Sequence, residues 1–460
     1  MEGFFQVVSD INGAINGIVW GPIMLTLLIG TGLLLSIRMG FPQFTKFGYV
    51  MKNTIGSLFN SKQHKKDDSG VSPFQAVATA MAGTIGTGSI TGIATALVSG
   101  GPGAIFWMWI SALLGMVTKY SEIILSLHFR EKNDEGLWVG GPMYYIQNGL
   151  GLKWLAVLFA VFAALTCFGT GNATQANSIS VALDATLGIN PVITAIVLTL
   201  IVGAVILGGI RRIASVNEKL VPFMAVFYVI VAFVALFLNI DKVPGAFAQI
   251  FEEAFNFRAA AGGAAGYGIM VAMRFGFARG VFSNEAGLGS APIAHAASSN
   301  KNPVDQGIWG MFEVFFTTII ICTLTALVIL TTGVMDTTDY IGSALSIAAY
   351  NTVIPGIGGV GVTLATVLFA TSTTLGWAYY GEKAVEYLFH KNRTAVTIYR
   401  IVYVAFVFIG AAGGSGSLDL IWGISDTMNG LMAIPNLIGV IGLSGIVVKL
   451  TKDYFAKIEK

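Results

Sequence analysis

The groups able to do chemistry gather in a few short segments. In LFATSTTLGWAYYGEK, Thr371, Ser372, Thr373 and Thr374 are consecutive hydroxyls deep inside an apolar run. Hydroxyl and carbonyl oxygens are hard ligands, and by extension of the oxygen preference of hard ions they suit an alkali cation. The plainer alternative is that each hydroxyl bonds back to the carbonyl one turn earlier on its own helix. Trp377 follows one turn later, placed either to close a pocket or simply to pack. Two runs are rich in glycine: MAGTIGTGSITGIATA within 73–99, and AGGAAGYG followed by RFGFARGVFSNEAGLGSA within 261–297. Glycine inside a helix costs about 1 kcal/mol relative to alanine. Broken helix at membrane depth survives only inside protein or along a cavity. Small residues also mark close helix packing. Gly83, Gly86 and Gly88 are clustered more tightly than packing needs, so local unwinding is expected.

A helix break exposes free N–H groups at the start of one half and free C=O groups at the end of the other. The first end favours an anion and the second a cation. An amino-acid zwitterion carries both charges and needs few charged side chains to bind. Run 73–99 accordingly has no ionisable residue. Gln175, with Asn172 and Asn177, is polar at membrane depth and fits either substrate contact or interhelix bonding. Lys119 and Glu122 are spaced i,i+3 and read as a local pair. Arg274, Arg279 and Glu285 are intramembrane charges, candidates to line a cytoplasmic vestibule or form a gate. The four histidines are scattered, and Cys167 and Cys322 lie in apolar runs. No disulfide, zinc site, cofactor or nucleophile–base constellation is expected, and hence no enzyme.

The elements that must position these groups follow from composition. Hydrophobic residues make up 55% and charged residues 11%, with mean hydropathy +0.75. Soluble domains carry about 25% charged residues, so a soluble fold is excluded. Disorder is excluded by the hydrophobicity, and a coiled coil by 57 glycines. A net charge of +2 makes no case for nucleic acid. The start, MEGFFQVVSD, lacks the basic residues of a signal peptide, so the first apolar run reads as a retained helix.

A spanning helix needs about 20 apolar residues. Eleven runs qualify: 14–37, 73–99, 103–128, 154–183, 191–210, 220–239, 261–297, 309–333, 357–381, 397–415 and 427–448. The stretch 340–381 is too long for one span; Pro355 divides it, leaving 343–350 as a short surface or re-entrant helix. With this count, 21 of the 26 Lys and Arg fall in loops on one side and 2 on the other, which predicts the N-terminus outside and the C-terminus inside. Each glycine-rich run opens a set of five spans, 73–239 and 261–448. Five is odd, so the second set enters from the opposite side. The expected fold is an all-α polytopic membrane protein, one domain over 1–460. It has a five-plus-five inverted repeat, a discontinuous first helix in each repeat, and one extra helix at 14–37. That architecture puts a substrate at the midplane between the two breaks.

Four long segments carry a family resemblance: GTIGTGSITGIATA at 83–96, GGPGAIFWMWISALLG at 100–115, WVGGPMYYIQNGLG at 138–151 and GFARGVFSNEAGLGSAPIAHA at 276–296. They resemble the hallmark segments of the alanine or glycine:cation symporters, also called sodium:alanine symporters, and the resemblance covers essentially the whole chain. It implies a leucine-transporter-type fold in a prokaryotic cell membrane. The implied activity is sodium-driven uptake of L-alanine, often of D-alanine or glycine. By the same resemblance, Gly86, Thr87 and Gly88 would receive the substrate carboxylate through backbone N–H groups. Ser89 stands where the family commonly has Asn. The second break, near Phe282, Ser283 and Asn284, would meet the amine and wall the pocket, and Gln175 matches a polar position of the corresponding span. Thr373 and Thr374, with carbonyls near Ala82 and Ile85, resemble a sodium site. Trp377 would limit side-chain size and favour alanine or glycine over leucine. Expected partners are thus a small amino acid, sodium and lipid. A proton-coupled carrier of the same fold is the main alternative; it would want a carboxylate or histidine at the site, and 73–99 has none. A channel would show a repeated filter loop or charged ring, and neither is present. A non-transporting receptor of this fold is the remaining alternative.

Overall fold

The computed structural model describes residues 2–57, 71–255, 265–390, 392–414 and 418–458. Residues 261–264 of the second glycine-rich run lie outside these, as do Lys62, Lys65, Lys66, Arg258, Lys391 and Lys460 from the charge count. The described chain is almost wholly helical, with one two-stranded hairpin pairing Glu131–Lys132 with Trp138–Val139. Among the described residues, seven helices are long and apolar enough to cross a membrane. The bent pair Ile421–Gly442 and Ser444–Ile458 makes an eighth if it counts as one span. Pro191–Ile206 is apolar but shorter, and the two glycine-rich runs are each split.

The first run is not one straight helix from 14. It is α1 (Glu2–Val19) and α2 (Pro22–Met39), joined at Trp20–Gly21. Pro22 lacks the N–H that would continue the ladder, so the helix restarts there. The run 73–99 is α3 (Pro73–Thr84) and α4 (Thr91–Gly100), separated by a single 3₁₀ turn at Thr87–Ser89. A capping box starts α3: Gln75 N–H donates to Ser72 Oγ at 3.1 Å, and Ser72 N–H to Gln75 Oε1 at 3.3 Å. Next come α5 (Gly103–His128), α6 (Lys153–Phe168), α7 (Thr174–Leu187), α8 (Pro191–Ile206) and α9 (Gly209–Leu238). The α9 helix begins eleven residues before the expected 220, because the polar stretch from Arg211 to Lys219 is helical too.

The second glycine-rich run is α10 (Ala265–Asn284) and α11 (Ala291–Ala296). Here the break is enforced by backbone conformation. Glu285, Gly287 and Gly289 have φ of 58°, 90° and 76°, values a right-handed helix cannot hold. The chain continues as α12 (Pro303–Val314), α13 (Thr323–Thr332), α14 (Gly342–Val353), α15 (Gly358–Leu388), α16 (Arg393–Ala412), α17 (Leu418–Gly442) and α18 (Ser444–Ile458). The short helix expected at 343–350 is α14. Two π-helical segments interrupt long helices, Gly169–Ala173 between α6 and α7 and Phe315–Cys322 between α12 and α13. Such bulges are frequent at functional sites.

The two broken helices lie antiparallel. Helix α10 packs along α4, and α11 packs along α3. The chain just before α3 is bonded to the chain just after α11: Val71 N–H donates to Ala297 O at 3.0 Å and Ser299 N–H to Val71 O at 2.8 Å. Both breaks therefore sit at one level, wrapped by α5, α7, α12 and α15.

Candidate functional site

The breaks meet face to face. Ser89 Oγ and Ser283 Oγ are 3.0 Å apart, one from each broken run, and Ser283 Oγ also lies 3.1 Å from Cys322 Sγ in the second π segment. Thr325 Oγ1 donates to Ser89 O at 2.7 Å. Thr87, Ser89, Ser283, Asn284 and Glu285 are all fully buried.

Each glycine of the first break answers to a close approach. None of Gly83, Gly86 and Gly88 has a positive φ. A Cβ on Gly86 would lie 2.5 Å from Thr373 Oγ1 and 3.2 Å from Gln175 Oε1; on Gly88, 2.9 Å from the Phe282 ring; on Gly83, 2.6 Å from Tyr380 OH and 3.0 Å from Glu285 Oε1. Unwinding occurs where expected, but the glycines are there to admit neighbouring side chains.

Most of the expected site residues converge on this point. Thr87 N–H donates to Gln175 Oε1 at 3.1 Å, and Gln175 Nε2 donates to Thr170 O at 2.8 Å in the first π segment. The Thr87 hydroxyl has no hydrogen-bond partner, although buried polar groups are normally paired. Thr373 Oγ1 reaches across from α15 to Ala82 O at 2.7 Å, and Ile85 at the end of α3 is fully buried. The Thr374 hydroxyl takes the plainer option and donates to Ala370 O at 2.9 Å on its own helix. Phe282 stacks on Trp422 with centroids 4.9 Å apart. Asn284 turns inward to its own loop: its Oδ1 accepts from Ala286 N–H at 2.9 Å and its Nδ2 donates to Thr318 at 3.1 Å. Asn172 and Asn177 bond to α16 and its C-terminal end instead, at Tyr403 O and Gly414 O.

Charges surround the second break, and their pairing corrects one expectation. Lys119 does not pair with Glu122 one turn on. Its Nζ lies 2.9 Å from Glu313 Oε2 on α12 and donates to Asn284 O at 3.0 Å, where an ammonium offsets the carbonyl end of α10. Glu122 accepts instead from Asn436 of α17, which also donates to Gly287 O at 2.8 Å. Glu313 completes a chain to His295 at 2.9 Å. Lone charges in a sequence gave no hint of these partners, which come from three other helices. Arg279 forms a two-pronged pair with Asp426 of α17, its guanidinium 5.2 Å from the Trp422 ring. Arg274 donates to Asn16 of α1 at 3.0 Å. Both arginines thus sit on the α10 flank of the break. Beyond Trp377, toward the C-terminal end of α15, lies a cavity of about 220 Å³, lined among others by Glu382, Lys383, Glu386 and Arg400.

The fold and sequence have clear likenesses. The chain is 14% identical to a manganese transporter of Eremococcus coleocola, with a TM-score of 0.51 over 77% of this chain and 74% of that one. This is a likeness of fold. It is 47% identical to the sodium/alanine symporter AgcS of Methanococcus maripaludis over 97% of each chain. It is 36% identical to the probable sodium/glutamine symporter GlnT of Bacillus subtilis, over 98% of this chain and 91% of that one. The family model described as the sodium:alanine symporter family matches residues 5–460. With near-complete coverage by both model and relatives, the chain belongs to the sodium:alanine symporter family, whose members are membrane transporters and not enzymes.

Proposed function

We infer that this protein carries a small neutral amino acid, alanine in either hand or glycine, together with sodium into a prokaryotic cell. The observation that carries the reading is the meeting of two antiparallel helix breaks around buried hydroxyls and backbone groups. The substrate carboxylate takes the N–H groups of Gly86 and Gly88 and the orphan Thr87 hydroxyl, ahead of the second half-helix, and displaces Gln175 Oε1 from the Thr87 N–H. Ser89, Ser283 and Asn284 lie on the amine side, Phe282 and Trp377 wall the pocket, and Gln175 holds the loop before substrate binds. Sodium enters between Thr373 Oγ1 and Ala82 O, with Ile85 O and Thr374 Oγ1 as further oxygens.

The crossed packing of α10 on α4 and α11 on α3 supports an inverted five-plus-five repeat in eleven spans, N-terminus outside. Alternating access then opens the Phe282–Trp422 side and the Trp377 side in turn. One charge crossing 100 mV is worth about 2.3 kcal/mol, enough for roughly fifty-fold accumulation. Proton coupling is the second reading. It is favoured by Glu285, whose carboxylate lies against Gly83 of a helix that has no ionisable residue of its own.

The test is binding of labelled alanine to purified protein with sodium or potassium as the only cation. Binding that requires sodium, and competition by glycine and D-alanine but not leucine, is expected. Cation-independent binding that varies with pH would favour the second reading. No binding would overturn the substrate.

A further inference from the structure

Glu285 is a non-glycine residue at φ 58°, in the left-handed region that side chains rarely adopt. Its backbone belongs to the second break, yet its carboxylate reaches helices of the first site. Oε1 accepts from the Trp377 indole N–H at 2.8 Å, and Oε2 accepts from Ser290 Oγ at 2.6 Å. Oε1 also fills the space beside Gly83, 3.0 Å from where a Cβ would stand. Glu285 and Trp377 are both essentially inaccessible to solvent.

An indole has two side-chain torsions to fix. The first is set by packing: the Trp377 Cβ and Cγ lie 2.1 Å and 2.4 Å from the place of a Cβ on Gly171, so only glycine there admits the ring. The second decides which edge of the ring faces which neighbour. Tyr380 meets the ring edge-on at 5.5 Å between centroids, and that contact does not choose the edge that carries the N–H. The bond to Glu285 does. The position of the indole is thereby tied to a residue of the second break, held in place by the loop's own Ser290.

We propose that Glu285 is a positioning residue for substrate-size selection: it holds the Trp377 indole in the orientation that excludes large side chains, so the second helix break governs selectivity at the first. The proposal rests on Trp377 being the size limit. A merely structural Glu285 would alter binding of all substrates alike; a positioning Glu285 alters their ratio.

The test is competition of labelled alanine by unlabelled alanine and leucine, for wild type, Trp377→Phe, Glu285→Ala, Glu285→Gln and the Glu285→Ala/Trp377→Phe pair. Trp377→Phe and Glu285→Ala are each expected to lower the preference for alanine over leucine by about tenfold, the scale of hydrophobic-pocket discrimination. The double variant should lower it no further than either single. Glu285→Gln, whose amide oxygen still accepts from the indole, should keep the preference within about threefold. If Trp377→Phe lowers the preference and Glu285→Ala does not, the proposal is overturned. It is also overturned if Gln loses as much as Ala. Should the alanine variant not fold, Glu285→Asp withdraws the acceptor by one methylene and must show the same fall; an unchanged ratio overturns the proposal. If Trp377→Phe itself keeps the ratio, the size-limit reading fails, a result distinct from failure of the Glu285 role.

Discussion

Replacing Thr373 with valine tests the ion site most directly. The Thr373 hydroxyl lies 2.7 Å from Ala82 O and is 1% exposed. Valine keeps nearly the same volume, so little cavity cost enters. What is lost is one oxygen partner in a buried polar site, a change of about 1–3 kcal/mol. At about 1.4 kcal/mol per tenfold, the sodium concentration for half-maximal alanine binding should rise roughly 5- to 140-fold. The alanine concentration needed at saturating sodium should move far less, because the substrate carboxylate is assigned to the N–H groups of Gly86, Thr87 and Gly88. Thr373→Ser keeps the oxygen and should stay near wild type. The assay is labelled-alanine binding titrated with sodium and then with alanine. A Thr373→Val protein with the wild-type sodium curve refutes the reasoning, as does one whose alanine curve shifts equally. Thr374→Ala should shift the sodium curve less, because the Thr374 hydroxyl already donates to Ala370 O. Wild-type sodium dependence in both variants would remove the ion site.

Three other predictions follow from packing and pairing. Gly171→Ala puts a methyl 2.1 Å from Trp377 Cβ, so it should lower thermal stability by about 1–3 kcal/mol and weaken alanine binding; a variant with wild-type melting and binding would contradict the contact. Arg279→Leu strands Asp426 in a nearly dry site and should cost about 3–5 kcal/mol, much of it recovered in the Arg279→Leu/Asp426→Leu pair; a double variant as unstable as the single would argue against that pairing. Lys119→Met should destabilise more than Glu122→Gln, since Lys119 pairs with Glu313 and not with its helix neighbour; equal melting temperatures would restore the local pair.

Composition alone marks a polytopic helical membrane protein. With 11% charged residues and long apolar runs, no other solvent accommodates the chain. The sequence also marked both runs as broken, because glycine clusters at membrane depth are costly, but the second break lies just past Phe282, Ser283 and Asn284, which are still helical because the left-handed residues begin at Glu285. The helices expected at 73–99 and 261–297 are indeed split, at Ile85–Ile90 and Glu285–Ser290. Thr373, Gln175 and Gly86 were recognisable because polar or glycine residues stand out against an apolar background.

Other features depend on how distant segments pack. Why Gly83, Gly86 and Gly88 are glycine depends on Glu285, Tyr380, Thr373, Gln175 and Phe282, which come from three distant segments. Thr373 and Thr374 are adjacent hydroxyls of identical type, yet one reaches Ala82 across the interface and the other bonds to its own turn, since successive residues on a helix face about 100° apart. Lys119 and Glu122 satisfy the spacing rule for a helix pair and still do not use it. On an exposed helix such a local pair is worth a few tenths of a kcal/mol. In a buried site each charge must find the partner that best offsets its desolvation, and that choice belongs to the packing of several helices at once.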